Sequence, residues 1–379
     1  MGGVVAMSGT GQRRGWHYTP SPFLRGCRQV LPLLLGVVLT TGCAGGGGRV
    51  SKTPNREGEP PSIGATSSSG AAGAVLPAPV TLPAIPASVS AGSDAGDLAV
   101  ALEDNSCAIV EHSAVSRTIP SCGAVTWVPG TEWVVFATVS QPTAQAATVT
   151  AYQALDLAHG TSQRLPCTGS MAPYLEGLPG PAVAFDCGGT LEIAALGPGV
   201  AKPKRYGWAT IHPNAALSQV FAVDPAQRYV ALVQANEQVS LYAMPNGGSV
   251  PGTFVAGAPL GMAWSNDGQI LAIASPQGVA AWRPRGSLVM AKQAAQDNVL
   301  TWLPDDSAVL AVSSFQPASP LAGYRIAPDG TVHQVAPPEA HVQRLAWGVG
   351  GGFYWYIRTG PTSAPVAPFT LIAAAPASA

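Results

Sequence analysis

The chain has 379 residues, of which 44 are Gly and 36 Pro, and only 10% carry charge. That Gly and Pro content favours turns over helices, while 47% hydrophobic residues supply a sizeable core and exclude global disorder. The formal net charge of −1 excludes the basic footprint of a nucleic-acid binder.

Residues 1–42 read as a targeting segment and are set aside from the fold. Arg13, Arg14, Arg25 and Arg28 precede every acidic residue, and residues 30–41 (VLPLLLGVVLTT) form an apolar run too short to span a bilayer. The run ends in Leu39-Thr40-Thr41-Gly42-Cys43, which resembles the lipobox of bacterial lipoproteins. The resemblance implies cleavage before Cys43 and a lipid on its thiol. Thr40 departs from the pattern, which usually has an aliphatic residue there. The Arg13-Arg14 pair lies too far from the apolar run to serve as a twin-arginine signal. Removing residues 1–42 leaves 15 basic and 20 acidic groups, net −5. The membrane is therefore expected as a partner through lipid on Cys43, not through anionic headgroups, and nucleic acid is not expected at all. The expected location is the cell envelope. In a bacterium with two membranes, Ala44 after the lipidated cysteine points to the outer membrane or periplasm.

Residues 43–90 read as a disordered tether. They hold Gly45 to Gly48, a serine patch at Ser67, Ser68 and Ser69, and a Pro/Ala stretch through Pro77, Pro79, Pro83 and Pro86. Aromatics are absent, so this segment buries too little apolar area to offset the entropy of ordering.

Residues 91–379 read as a single all-β domain. Short apolar runs begin at residues 98 (LAVAL), 133 (WVVFATV), 182 (AVAF), 229 (YVALV), 270 (ILAIAS), 308 (AVLAVSS) and 353 (FYWYI). Runs of this length, rich in Val, Ile, Leu and aromatics and bounded by Gly, Pro, Asn and Asp, are buried strands. They recur every 35 to 49 residues, close to the ~40–50 residues of a propeller blade. Trp127, Val223, Trp264, Trp302 and Trp347 each lie seven residues before a strand residue. Around Trp264-Ser265-Asn266-Asp267-Gly268, the Asn-Asp-Gly suits a tight turn because Asn and Gly accept positive φ.

This Trp-Ser-x-Asp-Gly unit followed by an apolar strand resembles the TolB-type and WD-repeat-like β-propellers of bacterial envelope proteins. Weaker copies stand at Trp127-Val128-Pro129-Gly130, Val223-Asp224-Pro225 and Trp302-Leu303-Pro304-Asp305-Asp306. The resemblance implies a propeller over most of residues 98–372. Seven apolar strands imply seven blades, with six or eight as the neighbouring counts. The last blade ends after residues 369–373 without an outermost strand, and residues 75–89 are expected to supply it, because an open edge invites aggregation. Alternation should send Phe353 and Trp355 to one sheet face and Tyr354 and Tyr356 to the other, both buried between blades.

Chemistry-bearing motifs are few. His112, His159, His212, His333 and His341 show no metal-ligand spacing, there is no Gly-x-Ser-x-Gly elbow and no phosphate loop, and no cofactor is expected. Glu103, Asp104, Asp186 and Asp224 fall at blade loops, where Asp is usually a turn residue. The cluster Lys202, Lys204 and Arg205 reads as a solvated loop. Two functional classes stay open: a lipid-anchored binding or scaffold module for a protein or glycan partner, and a propeller enzyme, lactonase or glycan-active, with its site at the central funnel.

With Cys43 assigned to lipid, Cys107, Cys122, Cys167 and Cys187 remain, an even number that points to disulfides in an exported protein. A hairpin about residues 113–116 would place Cys107 opposite Cys122. Cys167 and Cys187 would then meet on one face of the disc, giving the pairs Cys107–Cys122 and Cys167–Cys187.

Overall fold

A computed structural model describes residues 76–375 apart from 141–147, 168–172, 199–201, 213–218, 253–258, 276–277, 293–296, 314–321, 328, 337–341, 349–351 and 359–368. The described chain is all-β and forms seven four-stranded antiparallel sheets. Their innermost strands are Pro86–Ala91, Cys122–Trp127, Leu175–Leu178, Phe221–Val223, Gly261–Trp264, Asp297–Trp302 and Val342–Trp347, which open blades 1 to 7 in turn. Adjacent blades meet through these strands, except that blade 6 meets blade 7 through its second strand, and blade 7 meets blade 1 inner strand to inner strand, so the seven sheets close into a ring.

The seven apolar runs are the second strands of the seven blades: Leu98–Leu102, Trp133–Ser140, Ala182–Asp186, Tyr229–Val233, Leu271–Ser275, Val309–Ser313 and Tyr354–Arg358. Each lies inside its sheet with neighbouring blades on both faces, which is why it reads as continuous apolar sequence and not as an alternating pattern. The seven-residue spacing is the register of the first hairpin: Trp127 pairs with Val134, Val223 with Val230, Trp264 with Leu271, Trp302 with Val309 and Trp347 with Tyr354. Blade 3 lacks the spacing because its first hairpin turns within residues 179–181, where Gly180 takes φ +75°, so Leu178 pairs with Ala182.

The ring is closed by Val80–Leu82, which pairs Val80 with Leu371, Thr81 with Thr370 and Leu82 with Phe369 on the third strand of blade 7, Phe369–Ala374. Val80 and Leu82 are buried there and Thr81 points outward. The propeller therefore starts before residue 91, and the tether boundary drawn at residue 90 is corrected. Val89, counted above with the closing segment, belongs instead to Pro86–Ala91, the inner strand of blade 1. That PASVSA segment has the small, polar composition of the tether. It becomes a strand because Leu98–Leu102 pairs with one edge and the inner strands of blades 2 and 7 flank it. The segment before residue 76, with Cys43 and the targeting sequence, lies outside the described residues.

Alternation in blade 7 sorts the aromatics as the strand period requires. Phe353 and Trp355 pack with Val80, Leu82, Leu98 and Val100 on the blade 1 side, and Tyr354 and Tyr356 with Trp347 and Leu310 on the blade 6 side.

Candidate functional site

The inner strands have one edge in the sheet and one toward the ring axis, where main-chain N–H groups lack a strand partner. Buried donors need another acceptor. In three places the preceding blade supplies it. Trp127 N donates to Ser90 Oγ (3.0 Å), Val223 N to Glu176 Oε2 (2.9 Å) and Met262 N to Gln219 Oε1 (2.8 Å). Each bond crosses a blade boundary, so the axial rim is a polar seam as well as a structural one.

Glu176 is the ionisable member of that seam. Burial pushes its carboxyl up to about 8, against the pull of the hydrogen bond from Val223, so the group is mainly protonated at neutral pH. A shallow cleft beside it is lined by Tyr174, Leu175, Gln219, Val220 and Phe221. A protonated carboxyl there is a proton donor and a hydrogen-bonding group in one.

The anchor tryptophans hold the blades together. Trp264 Nε1 donates to Ala222 O (3.1 Å) and Trp302 Nε1 to Ala263 O (3.0 Å), in each case the residue before the anchor of the preceding blade. Trp127 Nε1 turns instead to Thr131 O in its own hairpin (2.7 Å).

The turns between first and second strands link blades 4, 5 and 6. Asp224 is fully buried. Its carboxylate accepts from Arg228 N and Nε (both 3.0 Å), and Arg228 Nη2 reaches Asp267 O (2.9 Å) and Gly268 O (3.0 Å) in the next blade. Gly268 sits at φ +67°, and a Cβ there would press on Arg228 Nη2 and the Asp224 carboxylate, so glycine is required twice over. Asp306 in turn accepts from Asn266 N, Asn266 Nδ2 and Asp267 N.

The acids raised from sequence lie apart. Asp104 caps its own turn through Ser106, Asp186 accepts from Gly189 N (2.9 Å), and Asp224 is engaged with Arg228. Glu103 is exposed beside Asp104. His159 bonds Asp156 within one turn (2.8 Å), while His112, His212 and His333 sit on separate blades or connections; His341 lies outside the described residues. Among the described residues no three His, Cys, Asp or Glu side chains group as metal ligands. Lys204 and Arg205 begin the outer strand of blade 3, Lys204–Thr210, and do not form a loop. Lys204 Nζ lies 5.1 Å from the Tyr206 ring, and Arg205 reaches Glu192 (4.0 Å).

Both disulfides are present, Cys107–Cys122 and Cys167–Cys187, each with Cα atoms 5.5 Å apart. The hairpin account of the first is corrected. Cys107 pairs in register with Ile119, and Cys122 begins the inner strand of blade 2. The bond therefore joins blade 1 to blade 2. Cys167 follows the outer strand of blade 2 and Cys187 follows the second strand of blade 3, so that bond joins blades 2 and 3. In an up-and-down blade, turns after the second strand share a face with the blade-to-blade connections. Both bonds lie on that face.

Glu176 was not singled out from sequence. Its environment comes from Val223, 47 residues away, and only the ring brings the two together.

No protein-family model and no curated protein matches the sequence. Among solved structures, the chain is similar to the β-propeller domain of Myceliophteria thermophila Cps50 (Swd1), with a TM-score of 0.53, 9% identity, and coverage of 78% of this chain and 98% of that one. Kluyvelomyces marxianus Hsv2 follows with a TM-score of 0.45, 14% identity, and coverage of 72% and 88%. With the seven sheets described above, the fold is that of a WD40-like, seven-bladed β-propeller.

Proposed function

We propose that this chain is a lipid-anchored protein of the bacterial cell envelope, its propeller a binding or scaffold module for a protein or glycan partner. The observation that carries the binding role is how the polar groups are used: Asp104, Asp186, Asp224 and Asp306 are each engaged in holding a turn or a blade boundary. A ring built this way presents loops on a stiff frame, and loops positioned by a rigid scaffold are where binding is usually found. Two disulfides between blades fit an oxidising compartment outside the cytoplasm. The lipobox-like sequence ending at Cys43 supports the anchor, and Ala44 supports outer-membrane sorting where two membranes exist. The kinship to TolB-type envelope propellers belongs to the same reading.

Mass spectrometry of the mature protein tests the anchor: a diacylated or triacylated N-terminal Cys43 is expected, and a free N-terminus elsewhere overturns it. Capture from solubilised envelope tests the module, with one envelope protein or glycan recovered in stoichiometric amount as the supporting result. The second reading is an enzyme at the central funnel, for which the protonated carboxyl of Glu176 is the candidate acid. Turnover of a lactone or glycan panel that is lost in Glu176→Gln, with no partner captured, would favour it.

A further inference from the structure

Val80–Leu82 closes the ring, and the chain just before it leads back to Cys43. We propose that this strand is a strap released by tension: a pull on the upstream chain detaches it from Phe369–Ala374 and opens blade 7 before any other blade yields. The source of the pull rests on the lipid-anchor reading. The order of release rests on the fold alone.

Three observations place the yield point here. The outer strands of blades 1 to 6 each follow the third strand of their own sheet in the chain. Val80–Leu82 is instead separated from Phe369–Ala374 by the whole ring, so no hairpin turn backs up its three residue pairs, whereas Gly248–Val250 in blade 4, also held by three pairs, is tied to its partner strand by the turn before it. The ladder stops at Val80 because Pro79 and Pro77, which would extend it, lack N–H donors. Among the described residues, blade 7 also holds two buried indole N–H groups, those of Trp347 and Trp355, without a hydrogen-bond partner.

The rest of the ring is better tied. Disulfides bind blade 1 to 2 and blade 2 to 3, and Arg228 and Asp306 bind blades 4, 5 and 6 across their turns. Once the strap is off, load passes to Pro86–Ala91, which pairs with Leu98–Leu102 over five positions and adjoins the disulfide-bonded arc. Release should therefore stop there. Residues 80–85 would be freed, a gain of about 2 nm at ~3.3–3.6 Å per residue.

The test is single-molecule force spectroscopy on the chain from Ala44 onward, with one handle at its N-terminus and the other on the exposed Leu288 position of blade 5, as Leu288→Cys. The expected result is a first, reversible extension of about 2 nm, at ~3.3–3.6 Å per freed residue, at lower force than unfolding of the ring. A second variant joins Thr81→Cys to Thr370→Cys, positions opposite each other in the register, the first pointing outward, and should abolish that step while leaving ring unfolding in place. Single-step unfolding of the uncross-linked protein, or an early step that survives the cross-link, overturns the proposal. The anchor reading fails by a different result, an unmodified N-terminus in the mass spectrum.

Discussion

At the scale of single residues, the axial seam is the most demanding position in the sequence. An unfolded chain ionises Glu176 near 4.5, whereas the folded protein keeps the proton to about 8. The folded state thus holds more protons across that window, and stability must fall as pH rises through it, levelling off above about 8. Glu176→Gln keeps an acceptor for the Val223 N–H and removes the ionisation. Thermal melts from pH 5 to pH 9 should show a flatter profile for the variant and a higher midpoint than wild type at pH 8.5; parallel profiles would show that burial of this carboxyl has no such effect. Arg228 makes the complementary case. Asp224 is fully buried, so Arg228→Met leaves a carboxylate without its cation, at a cost of about 3–5 kcal/mol, read as a shift of the denaturant midpoint at unchanged slope.

At the scale of elements, what could be read in advance depended on how a strand is buried. The seven second strands are apolar on both faces and announced themselves as runs. The anchors announced themselves through a fixed hairpin length, seven residues from Trp264 to Leu271 as from Trp127 to Val134. Strands whose burial comes from distant neighbours gave no such signal. Pro86–Ala91 has the composition of a linker, and Leu175–Leu178 is four residues long with a shorter turn after it. The disulfides were legible as pairs while the hairpin given for the first was wrong: even cysteine number and export leave three connectivities, and the register that chose among them put Cys122 in the hairpin of blade 1, one connection short of its place at the start of blade 2. Non-reducing peptide mapping should find 107 joined to 122 and 167 to 187. Cys107→Ser with Cys122→Ser, and separately Cys167→Ser with Cys187→Ser, should each lower stability by roughly 3 kcal/mol, for closed loops spanning 15 and 20 residues. Treatment with reductant should add nothing further in the protein lacking all four.

At the scale of the whole molecule, a ring is stable only if every sheet edge is used or protected. Six blades finish with a strand made from their own stretch of chain, and the seventh borrows one from the other end. Deleting residues 76–85 would bare the edge of Phe369–Ala374, a row of main-chain donors and acceptors suited to pairing with another chain. Size-exclusion chromatography should then show the deletion protein forming larger species than the intact protein does. A monomeric deletion protein would mean that the edge is covered in some other way.

The pairing of Val80 with Leu371 also makes the beginning and end of the propeller immediate neighbours. The ring has a first blade only by convention of where translation starts. A short connector from the end of the last strand to the residues before Val80 would make the chain circular, and new ends could be cut at the exposed turn of His159 and Gly160. Such a permuted protein should fold to the same seven sheets, with the borrowed strand now covalently continuous with the strand it completes.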